Sequence, residues 1–133
     1  MNKIIKGMGV HHIALKSTDF DKSIEFYKAL GMKEKVSWGE GDGRAAMLDL
    51  GDGNYLELFA DGEKGDNNDK RFYHLALRAD DVDEAFEIAL SAGATPQTPP
   101  MTVSPEGAST LLSMRIAFVQ GPDGEVIEFF KEI

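Results

Sequence analysis

The chain has 133 residues, of which 42% are hydrophobic, and it carries a formal net charge of −9. The length and apolar content fit one folded domain, and the acidic balance disfavours nucleic acid or an anionic membrane surface as a partner. The absence of cysteine excludes disulfides and thiolate chemistry. No apolar run approaches the roughly 18 residues of a membrane span, and the first residues lack a signal-peptide core, so we expect a cytoplasmic protein.

The first elements in chain order are a strand and a helix. Residues 9–16 have the composition of a short strand. Thr18 or Asp19 then caps a helix that runs to about Leu30 and ends at Gly31. Its predicted buried face holds Phe20, Ile24 and Tyr27. Strand-like segments follow, interrupted by glycine turns, at about 34–38, 44–50 and 54–60.

A polar segment, DGEKGDNNDK at 61–70, predicts a linker, after which the same order of elements returns. A strand near residues 74–78 leads to a helix capped by Asp81, with Glu84 completing a capping box and Gly93 ending the helix. Further strands are predicted at about 97–102, 113–120 and 125–131.

Two pairs of similar segments indicate an internal duplication. HIALKSTDFD at 12–21 matches HLALRADDVD at 74–83, and DGNYLELF at 52–59 matches DGEVIEFF at 123–130. Two matches in the same order make chance an unsatisfactory explanation. We therefore predict a single domain, 1–133, built from β-α-β-β-β repeats at 9–60 and 71–132.

Alternation along the strands predicts one chemically distinct face. His12 and Lys16 share a face of the first strand with Ala14, whereas Ile13 and Leu15 should pack on the helices. The same rule puts His74, Glu57 and Glu128 on the face that is not covered by helices. A pseudo-twofold axis would place His12 opposite His74 and Glu57 opposite Glu128.

Two imidazoles and two carboxylates around one point suit a divalent metal, with Zn, Ni, Co, Mn and Fe(II) all possible. Carboxylates in strands as apolar as YLELF and VIEFF are costly unless they are paired or bound to a cation. The alternative is that each histidine is an ordinary core or surface residue and each glutamate lies on a solvated face. His11, next to His12, falls outside the repeat, and we expect it to serve in packing or at the surface.

Three segments carry a family resemblance, namely HHIALKSTDFDKSIEFYKALGM, FYHLALRADDVDEAFEIALSAGA and AFVQGPDGEVIEFF. They resemble the vicinal oxygen chelate superfamily, also called the glyoxalase/bleomycin-resistance/dioxygenase family, over essentially the whole chain. The resemblance implies an α+β fold of tandem β-α-β-β-β repeats that form a curved, half-open mixed sheet around a central metal site. The implied metal ligands are His12, Glu57, His74 and Glu128.

A glutamate at the second ligand position resembles glyoxalase I, the lactoylglutathione lyases. This implies a metal-dependent lyase or isomerase that moves a proton next to a carbonyl through a metal-bound enediolate. Glu128 is the implied general base, and Glu57 the group for the other face. The implied substrate is the thiol hemithioacetal of a 2-oxoaldehyde, or a related vicinal-oxygen compound. We expect Zn or Ni first, with Co, Mn or Fe as alternatives, and a homodimer.

The substrate-binding side is less closely related to lactoylglutathione lyases. Lys16 stands where many glyoxalases carry arginine, and Ala60 where bacterial ones often have asparagine. Lys16, Arg78 and Arg115 are candidate contacts for an anionic substrate group, although each cation also suits a solvated strand edge. A non-catalytic binding protein and an Fe(II) dioxygenase are the competing functions. The complete set of four ligands argues against a non-catalytic binding protein, and Glu57 argues against an Fe(II) dioxygenase.

Overall fold

In a computed structural model, residues 1–29, 31–62, 72–121, 124 and 126–133 are described. They form eight strands and two α-helices, and the predicted α+β class is confirmed. In chain order the elements are β1 Gly9–Lys16, α1 Phe20–Ala29, β2 Lys33–Trp38, β3 Ala45–Asp49, β4 Tyr55–Phe59, β5 Phe72–Arg78, α2 Val82–Ser91, β6 Thr95–Val103, β7 Met114–Gln120 and β8 Val126–Glu132. The β-α-β-β-β order therefore occurs twice.

The chain divides into two compact units. The amino-terminal unit comprises His12–Tyr73 and Pro105–Leu111, and the carboxy-terminal unit comprises Met1–His11, His74–Ser104 and Leu112–Ile133. Of the predicted linker at 61–70, only Asp61 and Gly62 lie within the described residues. No helix within the described ranges is long and apolar enough to cross a membrane.

The sheet of the amino-terminal unit has the order β2-β3-β4-β1. It is mixed, because β1 pairs with β4 in parallel while the other neighbours are antiparallel. Helix α1 begins after Asp19, whose carboxylate accepts a hydrogen bond from the Lys22 amide. The apolar face of the helix and the strand residues beneath it form one cluster: Phe20, Ile24 and Tyr27 with Ala46, Leu48, Leu56 and Leu58.

The sheet of the carboxy-terminal unit has the order β5-β8-β7-β6 and is mixed in the same way. The Asp81 carboxylate caps α2 by accepting a hydrogen bond from the Glu84 amide at 2.9 Å. Gly93 follows α2 with φ +109°, a backbone conformation that glycine adopts without steric cost. The buried cluster under α2 contains Val82, Ala85 and Phe86 with Ala117, Val119 and Phe129.

The strand register of the two units corresponds residue by residue. Glu57 lies opposite Ala14 of β1 and Met47 of β3, and Glu128 lies opposite Ala76 of β5 and Phe118 of β7. These partners are separated by the same offsets as the sequence echoes, since 76 − 14 = 62 and 128 − 57 = 118 − 47 = 71. The correspondence supports the duplication, whose pseudo-twofold axis stays a prediction.

Two local expectations from the sequence need correction. Ile13 does not pack under a helix, and 39% of its surface is exposed. Leu15 of the same strand packs against the cluster under α1, as predicted, whereas Ile13, two residues earlier in β1, lies outside that cluster. Strand β6 begins at Thr95, two residues earlier than predicted, and it contains three prolines. Its pairing with β7 shifts register between Pro96 and Thr98 and again before Met101, as expected of proline in an edge strand.

Candidate metal centre and its surroundings

A buried histidine–glutamate pair lies on the sheet of the amino-terminal unit. His12 of β1 is fully buried, and Glu57 of β4 is 5% exposed. The His12 Nε2 atom lies 3.6 Å from the Glu57 Oε1 atom. The two side chains meet because β1 and β4 are adjacent parallel strands, with Ala14 and Glu57 at the same level. A carboxylate this far from water is costly without such a partner or a cation.

A second pair occupies the equivalent place in the carboxy-terminal unit. His74 of β5 and Glu128 of β8 are 2% and 4% exposed, and the His74 Nε2 atom lies 2.9 Å from the Glu128 Oε2 atom. The ring of Phe118, the β7 partner of Glu128, stands edge-on to the His74 ring with the centroids 5.3 Å apart. This aromatic wall restricts the His74 imidazole on one side.

The chemistry of these side chains fits a divalent metal. His12, His74 and Glu128 are each buried and each offers a nitrogen or oxygen ligand atom. Neutral imidazole and carboxylate are ligands for Zn, Ni, Co, Mn and Fe(II). Among the described residues, the buried ligand candidates of the amino-terminal unit are His12 and Glu57, and those of the carboxy-terminal unit are His74 and Glu128. Protein metal centres use at least three protein ligands as a rule. A complete centre would therefore need both pairs.

Lys16 and Arg78, which are equivalent in the repeat, are both held by polar contacts within their own units. The Lys16 Nζ atom lies 3.4 Å from the Asp61 Oδ2 atom and 4.6 Å from the ring centroid of Tyr73. The Arg78 guanidinium donates a hydrogen bond to the backbone carbonyl of Val10. Both side chains lie on the histidine-bearing face of their strands, since alternate residues share a face.

Arg115, the third candidate cation, lies on the other face of its sheet. In β7, Phe118 is opposite Glu128, so Arg115, three residues away, points to the side covered by α2. There its Nε and Nη2 atoms each donate to a carboxylate oxygen of Asp83 at 2.8 Å. The hydrogen bonds from Arg115 lower the pKa of Asp83, and the same bonds raise the pKa of Arg115. This placement agrees with the alternative explanation that Arg115 lies at a solvated strand edge.

The sequence did not draw attention to Lys35 and Tyr55. The Lys35 ammonium donates a hydrogen bond to the Tyr55 hydroxyl at 3.1 Å and lies 4.4 Å from the centroid of that ring. Tyr55 is the register partner of His12 and precedes Glu57 by two residues. The signal available in the sequence was the position of Tyr55 on the Glu57 face, but nothing there indicated that Lys35 would reach it.

His11 is a packing residue, in agreement with its exclusion from the ligand set. It is buried, and its ring centroid lies 4.0 Å from that of Phe130. Its Nε2 atom lies 3.9 Å from a carboxylate oxygen of Glu132.

Comparison with protein families decides the class of the chain. Residues 9–129 match the family described as the Glyoxalase/Bleomycin resistance protein/Dioxygenase superfamily. The chain belongs to this superfamily. The match spans both units and includes both histidine–glutamate pairs, and it confirms the resemblance seen in the sequence.

Individual proteins resemble the chain over most of its length. A probable lactoylglutathione lyase of Vibrio cholerae serotype O1 is 34% identical over 131 residues, covering 90% of this chain and 88% of that protein. A lactoylglutathione lyase of Neisseria meningitidis serogroup A is 32% identical over 133 residues, covering 94% and 91%. The structure of a methylmalonyl-CoA epimerase from Mycobacterium tuberculosis has a TM-score of 0.71 at 22% identity, covering 98% and 90%. At that identity the structural likeness bears on the fold alone.

Proposed function

We propose that this superfamily member is a metal-dependent lyase or isomerase of the glyoxalase I type, which moves a proton on a carbon next to a carbonyl. The observation that carries the proposal is the presence of a buried histidine–glutamate pair in each unit, at the same strand register. A duplicated scaffold would need only apolar residues at these positions to fold. Two imidazoles and two carboxylates, all buried, are better explained by a shared ligand set.

The metal would be held by His12, Glu57, His74 and Glu128. When they bind the metal, these imidazoles and carboxylates need no proton. The positive charge of the metal offsets the cost of burying two carboxylates. The set contains no sulfur, so it does not select Zn by softness. We propose Zn or Ni as the resident metal, with Co, Mn or Fe as alternatives. When bound, the metal would act as a Lewis acid that stabilises negative charge on substrate oxygens.

The residues of the chain would move the proton. Glu128 is proposed as the general base that takes the proton from the substrate carbon and returns it to the neighbouring carbon. Glu57 is proposed to serve the opposite face of the substrate. Burial of both carboxylates keeps water from competing for the proton, and their short side chains hold the oxygens near their histidine partners.

The proposed substrate is the hemithioacetal of a 2-oxoaldehyde with a thiol, or a related compound with two adjacent oxygens. The relatives of similar length that are named lactoylglutathione lyases support this class. Lys16 and Arg78 are proposed as contacts for anionic groups of the substrate, because both lie on the histidine-bearing faces. Arg115 is no longer proposed for this role, since it pairs with Asp83 on the helix-covered side.

We also propose that the protein is a cytoplasmic homodimer. Ile13 and Phe72 are apolar side chains with substantial exposure, which a second copy of the chain could cover. Light scattering coupled to gel filtration would measure the molar mass, and a monomeric mass at micromolar concentration would overturn this part.

The experiment that tests the function is metal analysis of the purified protein followed by an activity assay. The protein loaded with Ni²⁺ or Zn²⁺ would be given methylglyoxal premixed with glutathione, cysteine or 2-mercaptoethanol, and formation of the thioester product would be followed by its ultraviolet absorbance. We expect about one metal per chain and turnover with at least one thiol. A metal-loaded protein that binds these adducts without converting them would indicate a binding protein instead.

A further inference from the structure

The ring of Phe118 lies against the second histidine–glutamate pair. Ala117 and Val119, its neighbours in β7, are buried in the cluster under α2, so alternation along the strand places Phe118 on the opposite face of the sheet. On that face the Phe118 and His74 rings meet at an interplanar angle of 79°, with their centroids 5.3 Å apart. Aromatic pairs prefer such an edge-to-face arrangement. Phe118 therefore packs directly on a proposed metal ligand.

The strand register keeps Phe118 in this place. Phe118 is the antiparallel partner of Glu128, within a ladder that pairs β7 with β8 from Met114 to Gln120 without a shift. Residues that are directly opposite each other on one face have Cβ atoms about 4.5 to 5.5 Å apart. A phenylalanine side chain has two rotatable bonds, so a ring held by a regular ladder has few alternative positions. Phe118 thus touches His74 and lies beside Glu128, the two members of one pair.

The pair beside Phe118 contains the proposed base and has the shorter contact. The His74 Nε2 atom lies 2.9 Å from the Glu128 Oε2 atom, and both side chains are buried. In the other unit, 3.6 Å separates the His12 Nε2 atom from the Glu57 Oε1 atom. A group that transfers a proton must be held within about 0.5 Å of its working position. A rigid neighbour such as Phe118 meets that requirement.

The repeat does not require an aromatic ring beside each pair. At the offset of 71 residues Phe118 corresponds to Met47, which is the register partner of Glu57 and is fully buried. Methionine is unbranched and flexible, and it adapts its shape to fill the space around it. A side chain that only had to fill space next to the glutamate could therefore be methionine in both units. The ring at position 118 is a difference between two otherwise equivalent places.

We propose that Phe118 is a positioning residue for the proposed base. Its ring holds the plane of the His74 imidazole, and the imidazole in turn holds the Glu128 carboxylate, so that ligand nitrogen and base keep a fixed relative position. This inference rests on the proposed function, because it concerns the arrangement of the same site. It also gives a physical reason why Glu128 and not Glu57 is the principal base, since Met47 restrains its neighbours less.

Metal binding by variants without the ring tests the proposal and does not rely on turnover. Phe118→Leu and Phe118→Ile keep an apolar side chain but lose the ring, and isoleucine suits a strand. Phe118→Tyr keeps a ring. Phe129→Leu is the matched control, because Phe129 is buried on the helix-covered face of the same sheet. Competition with a chromogenic chelator measures the Zn²⁺ affinity, and the visible absorption of bound Co²⁺ reports the arrangement of its ligands.

We expect Phe118→Leu and Phe118→Ile to lose about tenfold in Zn²⁺ affinity, as when a group that orients a metal ligand is removed. Their Co²⁺ absorption spectra should differ from that of the wild type. Phe118→Tyr should keep most of the affinity, and Phe129→Leu should keep both the affinity and the spectrum even though its thermal stability falls.

Wild-type affinity and spectrum in the two variants without the ring, or equal changes in Phe129→Leu, would overturn the role of Phe118 and leave the metal site standing. Failure of the wild type to bind any metal would overturn the proposed function, and this inference would fall with it.

Discussion

Glu57 and Glu128 occupy equivalent positions in the strands of the two units. Each is opposite an alanine on a parallel strand, Ala14 for Glu57 and Ala76 for Glu128, and that alanine lies two residues after a buried histidine. Each carboxylate consequently meets the imidazole of its own unit, at 3.6 Å and 2.9 Å. The two positions are equivalent, but the proposed chemistry gives the two carboxylates different roles. Substituting each glutamate in turn tests this difference.

Glu128→Gln should abolish most of the turnover. The amide keeps the shape and a ligand oxygen but is a very poor base, so we expect a loss of about 10² to 10⁴ in kcat. Metal content should fall less than activity. Glu87→Gln, the same change at an exposed position on α2, is the control and should leave both unchanged. Steady-state kinetics and metal analysis on the same samples measure the two effects, and full activity in Glu128→Gln would contradict the acid–base role.

Glu57→Gln should cost less activity than Glu128→Gln if proton removal takes place on one side of the substrate. An amide oxygen at position 57 can still coordinate, and the proposed base stays in place. Glu25→Gln on α1 provides the matched control at an exposed site. The ratio of the two kcat values is the measurement. Equal losses in both variants would indicate that the two carboxylates share the proton transfer.

His12→Ala should act on metal occupancy rather than on proton transfer. The substitution removes a buried ligand that no neighbouring side chain replaces, so metal affinity should fall at least tenfold, on the order seen for ligand-sphere changes. His11→Ala is the comparison, because His11 packs on Phe130 and is not in the ligand set. Competition with a chromogenic chelator measures the affinity. A similar loss of metal affinity in His11→Ala and His12→Ala would contradict the assignment of His12, and not His11, as a metal ligand.

The ion pair between Arg115 and Asp83 should give a small, pH-dependent contribution to stability. The hydrogen bonds from Arg115 lower the pKa of Asp83 from its ordinary value of 3.8. A carboxyl group whose pKa is lowered by folding stabilises the fold at pH values above its ordinary pKa. This stabilisation is lost as the pH falls through the lowered pKa. Arg115→Gln should therefore slightly reduce the free energy of unfolding at pH 7, because solvent screens this exposed pair.

Urea unfolding of the wild type and Arg115→Gln, carried out at several pH values, measures that difference. It should shrink as the pH drops below about 4. A difference that persists unchanged in acid would show that Arg115 stabilises the protein through packing, not through its charge.

The repeat made much of this arrangement predictable from the sequence. Period-two alternation puts His12 and Glu57 on the uncovered faces of their strands, and the echoes at 74 and 128 extend the prediction to the second unit. Capping by Asp81 and helix termination at Gly93 also follow from local chemistry. These features depend on neighbours in the chain, which the sequence displays directly.

The features that depend on strand pairing were not predictable. Lys35 reaches Tyr55 because of a bulge, and a bulge is defined by the register between two strands, not by either strand alone. Ile13 is exposed while Leu15 of the same strand packs under α1, and this difference depends on the position of the helix along β1. Arg115 was a candidate substrate contact until its pairing register placed it on the helix-covered side.

The pseudo-twofold relation of the repeats 9–60 and 71–132 can be tested by superposition. In crystals of the metal-loaded protein, the Cα atoms of β1, α1 and β4 should overlay on those of β5, α2 and β8, with His12 on His74 and Glu57 on Glu128. An overlay in which the strands fit but the histidines fall at different positions would contradict duplication of the site.

In the proposed site, the two histidine–glutamate pairs share one metal. Anomalous diffraction from crystals of the protein loaded with Zn²⁺ or Ni²⁺, measured at the absorption edge, tests it most directly. We expect one strong peak, with one ligand atom each of His12, Glu57, His74 and Glu128 at about 2.0 to 2.2 Å. A peak bound by only one pair, or a fully loaded protein whose metal lies elsewhere, would contradict it.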